Sequence, residues 1–365
     1  MTNPVLDDSL LDRTPVTAAE IAEIEQAAAR VLATGQDVVL IQSEAILALE
    51  ATARGLGRPG LRALNIVTGP YGAIFGRWLA QTGAELTSLE VPFDQTVTVD
   101  QVAFALTGGD FDLVALVHAE AATGGANPVH EIAGLVRSAG ALMVVDAVAS
   151  VGAQPVAPDD WDSDIVVIGP QKALAGPAGV SAVSISARAW AAIEANPYAP
   201  RESMLSLLDP KHGWVDAGRS TLLGTPASLE TLAFGQALRR VESEGTASVI
   251  ARHRASAAAT RAGARVLGLL PWIANDRSAA TVVTTLTPPP GTSVADVVAR
   301  ARHHGSRLLV PAPGELADRV LRIGHTGRHA ALATVVDELT ALAAALNRDA
   351  ADAVHTAEHA WAEHL

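Results

Sequence analysis

Cysteine is absent from this chain of 365 residues. Its absence excludes disulfides, thiolate metal sites and a cysteine nucleophile together. Aromatic residues make up only 4%, with two tyrosines in all, so a tyrosine in a ligand-facing context stands out. No run of about eighteen apolar residues occurs, which excludes a hydrophobic membrane-spanning helix. The opening M-T-N-P-V-L-D-D has no basic stretch followed by an apolar one, so no secretory signal is expected. Positive charge is also in short supply. The formal net charge is −13, which argues against nucleic acid or an anionic membrane as partner. A cytoplasmic protein is the remaining expectation.

The chain does have length and alternation. It can bury a large core and is expected to divide into one large and one small domain. Thr17 to Ala33 reads as an amphipathic helix, with Thr17 and Glu20 in a capping-box pattern. Short apolar strands then alternate with helices: Val38–Ile41, a helix from Glu44, Ala63–Val67, a helix from Tyr71, Glu85–Val91, a helix from Val99, Leu113–Val117 and a helix from Pro128. Such alternation predicts a mostly parallel sheet with helices on both faces. Gly179–Ile185 reads as a returning strand, and Tyr198–Thr225 as loop. Ser228 to Val266 is a long helical stretch broken near Gly245. Beyond it, strands at Thr281–Leu286 and Val320–Ile323 flank a helix from Val294 to His303, which predicts a small α+β domain. The expected division is 1–255, 256–345, and a terminal helix or tail over 346–365. His355 and His359 stand four apart there, but no acid or cysteine with ligand spacing accompanies them. A solvated terminal helix is expected.

Two apolar runs carry the chemistry. Leu142–Val145 ends in Asp146, and Ile165–Ile168 runs into Gly169-Pro170-Gln171-Lys172. Singly, such an acid is most often a turn or cap residue, and such a lysine a solvated one. As a pair closing two buried parallel strands, they would meet at the carboxyl edge of a sheet, where open α/β folds bind ligands. A lysine there can form a Schiff base with an aldehyde. An aspartate there can hold a pyridine nitrogen protonated, making the ring an electron sink. The pair describes pyridoxal chemistry.

The segments D-A-V-A-S-V-G from Asp146 and G-P-Q-K-A-L-A-G-P-A-G from Gly169 resemble the class V, fold type I pyridoxal enzymes, the alanine–glyoxylate aminotransferase group. The resemblance extends over nearly the whole chain after about residue 36. Q-S-E-A-I-L-A-L-E-A from Gln42, A-W-A-A-I-E-A-N-P-Y-A-P-R-E-S-M-L-S from Ala189 and L-R-I-G-H-T-G from Leu321 point to members that transaminate free pyridoxamine. The resemblance implies an α/β fold of type I: a large pyridoxal-binding domain with helices on both sides of its sheet, and a small C-terminal α+β domain. It implies Lys172 as the Schiff-base lysine and Asp146 as partner of the ring nitrogen. Val148 would lie on one ring face and Tyr71 on the other, and Arg322 would grip the substrate carboxylate. Glu44, Ser43 and Gln171 join the cofactor-binding set. No metal is implied. The expected reactants are a small-molecule amine and a 2-oxo acid, and the expected assembly is a homodimer, or a dimer of dimers, with active sites at the subunit interface.

Several positions depart from the family pattern. Members that hold a phosphate open the corresponding helix with a Ser-Gly-Ser-Gly-like turn, whose amides and dipole bind the anion. This chain has Gln42-Ser43-Glu44-Ala45. A neighbouring subunit's tyrosine and threonine complete the phosphate cup in the family; Thr221 and Gly224 stand at the matching positions. These changes fit a 5′-hydroxymethyl group hydrogen-bonded to Glu44. A second arginine expected before Arg322 is Pro313, the threonine of an H-A-E-T-S-T-G motif is Ala121, and no L-x-x-G-P arm precedes Thr17. The expected function is amino transfer through Lys172 between pyridoxamine, or a bound pyridoxal cofactor, and a small 2-oxo acid such as pyruvate. The alternatives are an ordinary pyridoxal 5′-phosphate-dependent aminotransferase and a lyase or condensing enzyme on the same scaffold.

Overall fold

The structure, a computed structural model, describes residues 15–365. The opening M-T-N-P-V-L-D-D, and nearly all of the stretch before Thr17 in which an N-terminal arm would be sought, lie outside them. The Thr17 capping box is present: Glu20 N–H donates to Thr17 Oγ1 at 3.2 Å, and Thr17 N–H donates to Glu20 Oε2 at 2.8 Å. The first helix is α1 (Ala18–Val31). Alternation follows in the expected order: β1 (Asp37–Ile41), α2 (Ala45–Leu56), β2 (Arg62–Val67), α3 (Pro70–Gln81), β3 (Glu85–Glu90), α4 (Val99–Leu106), β4 (Leu113–Val117), α5 (Val129–Ser138), β5 (Leu142–Asp146), β6 (Ile165–Ile168), β7 (Ser181–Ile185) and α6 (Ala187–Glu194).

The seven strands form one sheet in the order β1-β7-β6-β5-β4-β2-β3. Only β7 runs against the rest, pairing antiparallel with β1 and β6. Alternate strand residues feed two cores. Val145, Val166 and Ile168 face the core that includes α1 and α5, while Val144, Ile165 and Val167 face the core that includes α2 and α6. Both faces are thus buried, which is why these strands read as unbroken apolar runs.

A short helix α7 (Leu208–Pro210) runs into a π-turn over Lys211–Val215, where loop was expected. Glu25 holds it in place: Trp214 Nε1–H donates to Glu25 Oε2 at 2.9 Å, and Arg219 Nε–H donates to the same oxygen at 2.9 Å. The long helical stretch is α8 (Ser228–Glu244) and α9 (Thr246–Val266), parted at Gly245, whose φ of +87° suits glycine. The second sheet is antiparallel, in the order β10-β11-β9-β8, from β8 (Leu270–Pro271), β9 (Val283–Thr287), β10 (Leu309–Pro311) and β11 (Leu321–Gly324). With α10 (Val294–His303) and α11 (Leu332–Ala345) it surrounds a third core.

The terminal helix α12 (Ala351–His364) is not simply solvated. Ala353 and Ala357, four apart, are fully buried in that third core. His355 and His359 lie on the exposed side. Close packing against α9 depends on Gly263: a Cβ there would meet the Leu339 side chain and lie 2.9 Å from Ala353 O.

Candidate active site

β5 and β6 run parallel in register, with Asp146 opposite Val167. Both therefore end at the same sheet edge. Asp146 is the last residue of its strand and is buried; its Oδ1 accepts a hydrogen bond from Val148 N–H at 2.9 Å. After β6 the chain folds back, with Gly176 N–H donating to Pro170 O at 2.7 Å and Ala175 N–H donating to Lys172 O at 3.1 Å. This tight loop returns Lys172 over the sheet edge. Its Nζ lies 5.7 Å from the centroid of the Tyr71 ring.

Tyr71 rides on the first turn of α3, which starts with Pro70 at its first position. That turn is pressed onto the end of β2. Asn65 Nδ2–H donates to Gly72 O at 3.0 Å, and a Cβ on Gly72 would come within 2.9 Å of Ile66 O. Glu44 caps α2, with Oε2 accepting from Ile46 N–H at 2.7 Å. Its other oxygen accepts from the Gln171 side-chain amide, so the helix start and the lysine loop are tied together.

These elements enclose a cavity of about 250 Å³ walled by Glu44, Tyr71, Asp146, Val148 and Lys172, with Ile46 and Leu49 of α2 as its apolar side. Its size is below the ~300–1,000 Å³ of drug-sized pockets, which suits a single substituted ring. Gln171 touches the site through Glu44 and does not line the cavity; nor does Ser43. Arg322, on β11, also lies outside the wall. It is near enough that its charge acts on both Tyr71 and Lys172, and its Nε is buried without a partner among the described residues.

Burial dominates the electrostatics. It pushes the Lys172 amine down, against the opposing pull of Asp146. It raises Asp146 to about 6, offset in part by the Val148 N–H bond and by Lys172. It lowers Arg322 and raises Tyr71. A desolvated amine favours its neutral, nucleophilic form.

The sequence reading passed over Glu120. It lies three residues beyond β4, in a hairpin closed by the Ala119–Ala126 bridge, and it is fully buried beside the site. Burial, then Asp146, push it up to about 8. Among the described residues, neither of its oxygens has a hydrogen-bond partner. An acid following so closely on an apolar strand was the available signal. Ala121, one residue on, does line the cavity.

The site fits a pyridoxal vitamer. A desolvated lysine, a buried acid, and an aromatic and an aliphatic side chain frame one ring-sized cavity. The Ile46 amide at the start of α2, which would otherwise serve an anion, is occupied by Glu44.

The model of the family "Aminotransferase class-V" matches residues 9–298. Pyridoxamine–pyruvate transaminase of Mesorhizobium japonicum is 33% identical over 339 residues, covering 93% of this chain and 86% of that protein. Alanine–glyoxylate aminotransferase of Drosophila melanogaster is 26% identical, covering 79% and 73%. The crystal structure of pyridoxamine–pyruvate aminotransferase from Mesorhizobium loti superposes with a TM-score of 0.90 at 32% identity, covering 97% of this chain and 93% of that one.

Proposed function

Since the chain belongs to the class-V aminotransferases, we propose that it moves an amino group between free pyridoxamine and a small 2-oxo acid such as pyruvate. The observation that carries this reading is Glu44. Its carboxylate caps α2 at the position where phosphate-holding members present amides to an anion. A hydroxymethyl group can donate to a carboxylate; a phosphate dianion is repelled by it. The Mesorhizobium relative, a pyridoxamine–pyruvate transaminase, points the same way. The Mesorhizobium and Drosophila relatives are both transaminases, and the lyase or condensation reading gains nothing from them.

When bound, the protonated pyridine ring supplies an electron sink. The chain's residues do the rest. Asp146, ionised above about pH 6, keeps the ring nitrogen protonated. Tyr71 and Val148, which both line the cavity, would lie against the ring. Lys172, its amine pushed toward the neutral form by burial, would be the group that engages the vitamer's carbonyl carbon and would serve as the proton carrier at the reacting carbons. Arg322 receives the substrate carboxylate in two parallel hydrogen bonds. A homodimer, formed in the cytoplasm, belongs to the same reading. Supporting it, Met204 and Leu223 are large apolar residues at 67% and 58% exposure that line one surface depression. Among the described residues, no helix is long and apolar enough to cross a membrane.

Borohydride trapping with pyridoxal, followed by peptide mapping, tests the reading. The adduct is expected on Lys172, and Lys172→Ala is expected to form none. An adduct on any other lysine overturns the assignment.

A further inference from the structure

Of the acids around the cavity, Glu120 has no task in the reaction as derived. It is fully buried, and both its oxygens lack partners among the described residues. Its side chain fills the space above Gly69, the residue that caps α3: a Cβ on Gly69 would overlap Glu120 Cγ and Cδ and lie 2.6 Å from Oε2. From there the carboxyl faces the amides of Tyr71 and Gly72, close enough for them to favour its charged form but short of hydrogen-bond geometry. Pro70 has no N–H, so these are the first free donors of the helix.

We propose that Glu120 is a positioning residue of the site, locking the first turn of α3, and with it the seat of the Tyr71 ring, in step with the charge held at Asp146.

As a carboxylate, Glu120 accepts from both amides and gains from the helix dipole. As an acid it is a weaker acceptor, with an O–H that has nothing to donate to. The groups that decide between these forms are Asp146 on β5, Lys172 after β6 and Tyr71 on α3. Glu44 and Arg322 act on the same site through Tyr71 and Lys172. His118, on the same chain segment, is buried against Trp161 and held neutral, with its pKa lowered to about 4. While the Asp146 charge stands uncompensated, repulsion and burial keep Glu120 protonated at pH 7. A ring cation seated on Asp146 cancels the repulsion. The Glu120 proton then passes to solvent, the carboxylate closes on the Tyr71 and Gly72 amides, and the Tyr71 ring is held against its ligand. The proposal rests on the reading of Asp146 as the seat of a ring nitrogen.

The test is calorimetric titration of wild type and Glu120→Gln with pyridoxal at pH 7.5, in buffers of different ionisation heat, which counts protons exchanged on binding. Wild type is expected to release a fraction of a proton more than the variant. Equal counts overturn the proposal. Should the variant not fold, the infrared difference spectrum of wild type, with and without pyridoxal, decides. Loss of a buried protonated-carboxyl band on binding is expected, and no loss overturns the proposal. If pyridoxal does not react with Lys172 at all, the functional reading fails by itself, and Glu120 is judged from stability. An acid whose pKa is raised by folding stabilises the fold below its unfolded pKa and loses that stability as pH rises through the folded one. The wild-type melting temperature should therefore fall more steeply between pH 6 and 9 than that of Glu120→Gln. Equal slopes overturn the titration on which the proposal depends.

Discussion

Replacing Glu44 by glycine should reverse the protein's preference between pyridoxal and pyridoxal 5′-phosphate. Two unit charges 4 Å apart interact by about 4 kcal/mol at an effective dielectric of 20. Glu44 is only part-buried, and solvent screening of about half leaves roughly 2 kcal/mol against each phosphate charge. Its removal also frees the Ile46 amide, now bonded at 2.7 Å, and the Gln171 side-chain amide, now held by Glu44. Both could then donate to a phosphate at a helix start. For pyridoxal the change runs the other way, because a charge-assisted bond from its hydroxyl, worth about 1.5–3 kcal/mol, is lost. Glycine is the right substitute, since it costs a helix cap only a few tenths of a kcal/mol. The ratio of affinities should shift by at least about tenfold toward the phosphate form. Absorbance titration of both aldehydes against both proteins measures it. If wild type already prefers pyridoxal phosphate and the ratio does not move, Glu44 is a helix cap and nothing more. The ordinary phosphate-dependent aminotransferase then becomes the better reading.

Asp146→Asn should fold normally, since the amide oxygen can still accept from Val148 N–H. Turnover should fall by at least about 10²-fold, the scale of losing a group that governs a proton in the transition state; steady-state kinetics near wild type would contradict the role. His325 and His253 are buried, with pKa values pushed down by desolvation to about 3 and about 4. Groups whose pKa folding depresses contribute stability above the unfolded value near 6.5, and that stability is lost as pH falls toward the folded values. His325→Gln should therefore flatten the decline in melting temperature between pH 7 and 4; an unchanged slope would show that these rings do not drive it. Gly263→Ala should cost about 1–3 kcal/mol by overpacking, because its methyl would press on Leu339 and on Ala353 O. Urea unfolding measures this, and a neutral result would mean that α9 and α12 yield easily.

The large sheet was legible because strands buried on both faces leave unbroken apolar runs. Asp146 and Lys172 stood out as the polar residues ending two such runs. Glu44 was readable as a helix start, and the structure adds its bond to Gln171. Other features were hidden for physical reasons. β8 and β10 are two and three residues long and each ends in proline, too short for a periodic pattern. The turn over Leu208–Val215 is fixed by Glu25, nearly two hundred residues away, and no local pattern announces that. In α12 the histidines drew notice, while the paired alanines that pack against α9 looked like composition. Glu120 escaped because its setting comes from Gly69 and Asp146, which belong to other strand ends. Arg322 lay on the expected strand, but the strand position alone did not place it outside the cavity wall.

The hairpin that carries Glu120 and Ala121 has a second attachment. Gly125 bridges to Ala279, Ala280 N–H donates to Gly124 O at 2.7 Å, and Thr285 Oγ1–H donates to Thr123 O at 2.9 Å. Thr285 lies opposite Arg322 across β9 and β11. One wall of the cavity is thus tied to the sheet that bears Arg322. The link runs from β11 through Thr285 and Thr123 to the hairpin that follows β4. Under the proposed function, the seat of Arg322 relative to the large sheet is therefore set in part by Thr285 and Thr123, neither of which lines the cavity.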